Sequence, residues 1–158
     1  MKIYLASDHA GFTIKEELKK YLPELGLGYE VVDMGAFARN DEDDYPDFIL
    51  PLAREVAAVG PEHEERRGIV LGGSGQGEAM CANRVQGIRA AVFYGQEDNI
   101  VSTDTFEIVK LAREHNDANI LSIGARFVDI DEAKFAVELF LKTEFSKDER
   151  HVRRINKY

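Results

Sequence analysis

Short apolar runs, each ended by Gly, Ser or Asp, alternate along this chain with segments of helical periodicity, and that alternation limits the folds open to it. Strands are predicted over Lys2–Ser7, Tyr29–Met34, Gly68–Leu71, Arg89–Phe93 and Asn119–Ile123. Helices are predicted over Thr13–Leu22, Phe48–Ala58, Glu78–Val85, Thr105–Glu114 and Asp131–Lys142. In the last helix Ala133, Phe135, Ala136, Leu139 and Phe140 recur at helical spacing. Strands interleaved with helices imply an α/β fold of three layers: a five-stranded parallel sheet with right-handed crossovers and helices on both faces. With 158 residues and no repeat, linker or low-complexity stretch, one domain over 1–158 is expected.

Such sheets bind ligands beyond the carboxyl ends of their strands. Three loops therefore matter: Asp8-His9-Ala10-Gly11 after strand one, Gly72–Gly77 after strand three, and Gly124-Ala125-Arg126 after strand five. The second is the richest in information. Gly72, Gly73, Gly75 and Gly77 let backbone N–H groups converge on one point, and the next helix adds the positive end of its dipole, which together make an anion hole. Spacing excludes several readings of it. A dinucleotide fingerprint through Gly73 and Gly75 needs glycine at 78, which is Glu. A nucleotide-hydrolase loop needs Gly-Lys-Ser/Thr, and a nucleophile elbow on Ser74 needs glycine where Gln76 stands.

Glu78 falls in the first turn after this loop, where an acid simply complements the helix dipole. The same position also suits a carboxylate that moves a carbon-bound proton while the loop holds an enediolate oxygen, with Ser74 passing a proton between the substrate oxygens. Cys81, the lone cysteine, reads as a packed residue and suits a reducing cytoplasm.

The net charge is −9, which argues against a general nucleic-acid or membrane-surface binder. Residues 147–157 nevertheless carry a local excess of three positive charges from Lys147, Arg150, Arg153, Arg154 and Lys157 against Asp148 and Glu149. A short basic tail on an acidic body suits either a small anionic partner such as phosphate or a solvated terminal helix. No apolar run approaches the roughly 20 residues needed to span a bilayer.

Asp8-His9-Ala10-Gly11, Asp44-Tyr45-Pro46, Gly72 to Glu78, Asn83, His115-Asn116-Asp117 and the Arg150-His151…Arg154 tail occur together in the order and spacing of one family. Over nearly its whole length the chain closely resembles the ribose-5-phosphate isomerase B (RpiB/LacA/LacB) sugar-phosphate isomerases. That resemblance implies a Rossmann-like sheet, no metal or cofactor, and a homodimer or homotetramer with active sites shared between subunits. It implies aldose–ketose isomerisation of a phosphorylated sugar, with ribose 5-phosphate and ribulose 5-phosphate as the expected pair. Allose 6-phosphate, galactose 6-phosphate, a tetrose phosphate or a non-catalytic binding role remain as alternatives.

Some members of the family carry a cysteine base at the place held here by Gly72; others use a glutamate directly after the loop, and Glu78 matches these. By the same resemblance Asp8 and His9 contact the sugar hydroxyls and ring oxygen, with Tyr45, Gly73, Gly75 and Gly77 beside them. His115 assists ring opening and Asn116 contacts the oxyanion. Arg126, Arg150 and Arg154 hold the phosphate, with His151 as an extra contact. Taken singly, His9, His115, Asp8 and the arginines also read as ordinary surface, capping or helix-face residues.

Topology adds a condition. Asp8, Gly72–Gly77 and Arg126 follow strands and share one edge of the sheet, whereas His115 and Asn116 precede a strand and the tail follows the last helix. The second group is therefore expected to serve the partner's site, with residues 146–158 docking on that subunit. Between Arg89 and His115 the chain is about ten residues longer than the relatives it resembles, with Gly95–Asp104 as the expected surface insertion.

Overall fold

A computed structural model describes residues 1–58, 64–95 and 106–158. Its elements run β1 (Lys2–Ser7), α1 (Phe12–Glu24), β2 (Glu30–Asp33), α2 (Pro46–Ala57), β3 (Arg66–Gly72), α3 (Gln76–Ala82), β4 (Ala90–Phe93), α4 (Glu107–Asn116), β5 (Ile120–Gly124), α5 (Ile130–Lys142) and α6 (Glu149–Ile155). All four strand pairings are parallel, in the order β2-β1-β3-β5-β4. The three-layer α/β architecture is as the alternation predicts. Most of the Gly95–Asp104 insertion lies outside the described residues.

Period-two alternation divides the strand side chains between two cores. Ile3, Leu5, Ile69 and Leu71 face one side, where they pack with Leu18 and Leu22 of α1, Val109 of α4 and Phe140 of α5. Tyr4, Ala6 and Val70 face the other, against Ile49, Leu52 and Val56 of α2 and Ala82 of α3. With both faces covered, the central strands are mostly apolar, as is usual for parallel sheets.

The strand order places the ligand crevice. After β1 the chain crosses outward to β2; after β3 it crosses the opposite way, to β4. β1 and β3 are hydrogen-bonded neighbours, so their carboxyl ends flank the point where the winding reverses. Asp8 and Gly72–Gly77 emerge from those two ends.

Some elements differ from the sequence expectation. β3 begins at Arg66 rather than Gly68, because Arg67 is a strand residue despite its charge. Its guanidinium is buried and donates to the carbonyls of Phe140 and Leu141 at 2.6 and 2.9 Å, satisfying the end of α5. α3 begins at Gln76, so the helix starts inside the glycine segment. It ends at Ala82, and Asn83 turns its amide to both the N–H and the C=O of Ala90 at the start of β4. α4 runs to Asn116 rather than Glu114, closed by Asp117 in the left-handed region at φ 46°.

Candidate active site

The glycine loop is built by backbone demands. Gly75 has φ 74°, in the left-handed region, and its carbonyl accepts from buried Ser122 Oγ at 2.7 Å. The loop after β5 is stitched alongside: Ala125 and Arg126 donate their N–H groups to the carbonyls of Gly72 and Gly73 at 2.8 and 3.1 Å. The Arg126 side chain then crosses Gly73, where an added Cβ would meet Cζ at 3.0 Å. The Tyr45 ring covers Gly77 in the same way, with Oη 3.0 Å from an added Cβ. Ser74 Oγ accepts the Gln76 N–H at 3.3 Å, which caps the first turn of α3.

Glu78 sits in that first turn and is only 4% exposed. Its carboxylate occupies the space directly over Gly72. An added Cβ at that glycine would lie 2.6 Å from Oε2 and nearer still to Oε1 and Cδ. Burial pushes the Glu78 carboxyl above its ordinary value; its own backbone N–H partly offsets this, and the negative charge of Asp8 adds to it. A buried acid that holds its proton more firmly than an ordinary glutamate suits proton transfer at carbon.

Asp8 is 7% exposed, and its Oδ1 accepts from the N–H groups of Ala10 and Gly11 at 2.9 and 3.2 Å. An added Cβ at Gly11 would meet Leu71 Cβ at 2.5 Å, so only glycine lets α1 start this close to β3. Asp43 comes in from the loop before α2. Its Oδ1 accepts both the His9 backbone N–H at 3.1 Å and the ring Nδ1 at 2.7 Å. Asp8, His9 and Asp43 thus bring three potential ligand atoms within 4.8 Å, a spacing that would suit a cation. Asp43 Oδ1, His9 Nδ1 and Asp8 Oδ1 are all committed to protein hydrogen bonds, so the trio reads as an arrangement that positions His9.

Sequence reasoning missed Asp43. It stands in the acidic run Asp41–Asp44, which by pattern is a solvated loop. The available signal was its place two residues before Tyr45.

The structure brings Asp8, His9, Tyr45, Gly73, Gly75, Gly77, Ser74, Glu78 and Arg126 to the carboxyl edge of the sheet. It does not bring His115, Asn116, Arg150, His151 or Arg154 there. His115 and Asn116 close α4 just before β5, and the Asn119 carbonyl next to them accepts from Gly68 N–H, near the start of β3. From there to Gly124 at the other edge is about 16 Å of strand. The His115 ring lies against His151 instead, with centroids 4.2 Å apart. His151 is 2% exposed, and its Nδ1 pairs with Ser146 Oγ at 2.8 Å. Burial lowers its pKa, and the neighbouring His115 lowers it further. Ser146 N–H donates to the Glu114 carbonyl, tying the tail to α4, while Arg150 and Arg154 remain exposed on α6. The residues singled out from the sequence therefore fall into two groups on opposite edges of the sheet.

The sequence profile described as Ribose/Galactose Isomerase matches residues 3–158. Among similar sequences, ribose-5-phosphate isomerase B of Mycolicibacterium paratuberculosis is 40% identical over 156 residues, covering 99% of this chain and 88% of that protein. Among solved structures, ribose-5-phosphate isomerase B of Clostridium thermocellum is 41% identical with a TM-score of 0.83, covering 99% of this chain and 94% of that one. The enzyme of Mycoplasma genitalium, solved with bound ribulose 5-phosphate, is 35% identical with a TM-score of 0.84, covering 99% and 92%. The profile match takes in both edges of the sheet, from the loop that holds Asp8 to the tail that holds Arg154, and the chain belongs to the ribose/galactose isomerase family.

Proposed function

We propose that this chain interconverts ribose 5-phosphate and ribulose 5-phosphate, with Glu78 as the base. The observation that carries this reading is a buried carboxylate of raised pKa, seated over a glycine loop at the switch point of the sheet. The relatives named for this activity, one of them solved with ribulose 5-phosphate, support the choice of sugar. Glu78 takes the proton from C2 of the open aldose and returns it to C1. The electron pair moves into the carbonyl to give an enediolate, whose oxygen meets the N–H groups of the loop; Ser74 passes the hydroxyl proton from O2 to O1, so that the C2 carbonyl forms as C1 takes up its proton. Arg126 reaches the phosphate, which fixes which carbon stands at the base. We place the reaction in the cytoplasm, where the half-buried thiol of Cys81 meets a reducing setting.

The same reading makes the working unit a dimer or a dimer of dimers. His115, Asn116, Arg150, His151 and Arg154 of one copy complete the pocket of another, with the segment 146–158 docked on that subunit. Complementation tests this. Glu78→Gln and His115→Ala proteins are each expected to be nearly inactive. Co-refolded in equal amounts, they should recover about a quarter of wild-type activity, because half the pairs carry one intact site. Recovery indistinguishable from zero would mean that the two groups do not meet across an interface.

A pH profile tests the base. The acid limb of kcat, which reports the enzyme–substrate complex, should lie above the ordinary glutamate value of 4.5. A limb at or below that value would remove Glu78 from the role. Direct assay with tetrose, pentose and hexose phosphates, followed by NMR, decides the sugar.

A further inference from the structure

We infer that Asp43 is the positioning residue for His9: by accepting from Nδ1 it fixes the orientation and tautomer of the ring and leaves Nε2 to face the sugar phosphate. The geometry is specific. One oxygen, Oδ1, takes both the backbone N–H and the ring Nδ1 of the same residue, at 3.1 and 2.7 Å, so the carboxylate fixes the His9 main chain and its ring together. A carboxylate accepts only, so Nδ1 must carry a proton and the neutral ring can exist in one tautomer. Among the described residues Nε2 makes no hydrogen bond, and the His9 side chain is 27% exposed beside Asp8. That leaves Nε2 for a ligand.

Asp43 is built for this one partner. Its side chain is 8% exposed, and its other oxygen, Oδ2, is buried with no hydrogen-bond partner among the described residues. A buried carboxylate needs compensation, and the cation nearest to it is a protonated His9. The groups facing the ring are Asp43, which raises its pKa chiefly through the hydrogen bond, and Asp8 and Asp41, which add to this by charge; burial opposes them. Every charged neighbour acts in one direction. His9 therefore holds its proton more firmly than an ordinary histidine, and its Nε2 points away from Asp43, where it donates to a phosphate oxygen when the ring is charged and accepts from a sugar hydroxyl when the ring is neutral. Such a contact is made to bound substrate throughout the reaction, so its loss falls on KM rather than kcat.

The kinetic part rests on the isomerase reading; the structural part does not. In the full-length wild-type protein, NMR of the histidine rings, with His9 identified by the signal lost in His9→Gln, should show the neutral Nδ1–H tautomer and titration above the ordinary 6.5. Asp43→Asn should bring that titration down. It should also raise KM for ribose 5-phosphate about tenfold, with kcat within about threefold of wild type. On a His9→Gln background the same substitution should add almost nothing to KM. A wild-type His9 found as the Nε2–H tautomer, or titrating at or below 6.5, overturns the inference even where Asp43→Asn fails to fold. So does an equal KM rise with and without His9, which would make Asp43 a loop-structuring residue only. If wild-type protein leaves ribose 5-phosphate unchanged, the substrate reading fails, while the NMR result still decides the pairing.

Discussion

Glu78→Gln is expected to cut kcat by about a thousandfold while leaving the protein folded, since positioned proton transfer contributes roughly 10²–10⁴ to rate. Glutamine keeps the shape of the side chain and its hydrogen-bonding oxygen but cannot take up the proton from carbon. The change also removes a buried ionisable group, which gives the experiment an internal control. The folded pKa of Glu78 is raised, so between the unfolded value of 4.5 and that raised value the native state holds a proton the unfolded chain has lost. Stability from this group is therefore greatest below pH 4.5 and declines as pH rises through the folded pKa. Glu78→Gln should melt at or above wild type at pH 7, with the difference closing below pH 4.5. A variant that retained more than a tenth of wild-type turnover would show that Glu78 is not the base. One that melted well below wild type at pH 7 would show that the carboxylate serves the fold instead.

How far the sequence could be read depended on whether a residue's role is written in its neighbours. The strands and α5 were legible because burial on fixed faces imposes a period, and the capping box of Asp129 and Glu132 marks the start of α5 within a residue. Arg67 was illegible for the opposite reason. A charged residue at the head of a strand reads as an exposed edge; the nearby Glu65 carboxylate pairs with it, but the carbonyls of α5 that it reaches inside the fold lie more than seventy residues along the chain. The glycine loop was visible because its constraint is local backbone geometry. Asp43 was hidden in an acidic run, since what singles it out is the ring of His9, 34 residues upstream. The division of the candidate site residues between the two sheet edges could be inferred from strand direction alone, before any side chain was placed. The complementation test decides whether the two groups meet in one site.

Gly72→Ala is expected to abolish turnover almost as completely as loss of Glu78, although it adds one methyl group and touches no titratable atom. The methyl would fall within the space of the Glu78 carboxylate, with all three terminal atoms of that side chain inside contact distance. The obstacle is the end of a flexible side chain rather than backbone, so the protein can fold by turning Glu78 aside. Proton transfer tolerates no such shift: displacement of about an ångström can cost on the order of a hundredfold in rate. Two consequences follow from the shared space. In a Glu78→Ala background the clash has no partner, so Gly72→Ala should add little further loss of activity and no loss of melting temperature; the two substitutions should be strongly non-additive. On the isomerase reading, a side chain placed at position 72 would compete with the Glu78 carboxylate for one volume. Gly72→Cys with Glu78→Ala should therefore regain measurable isomerisation over Glu78→Ala alone, with a rate that rises as the thiol ionises. Gly72→Cys with Glu78 intact should be impaired by the crowding. Additive losses for Gly72→Ala and Glu78→Ala would show that the glycine matters for the loop's backbone and not for the room it leaves to the base.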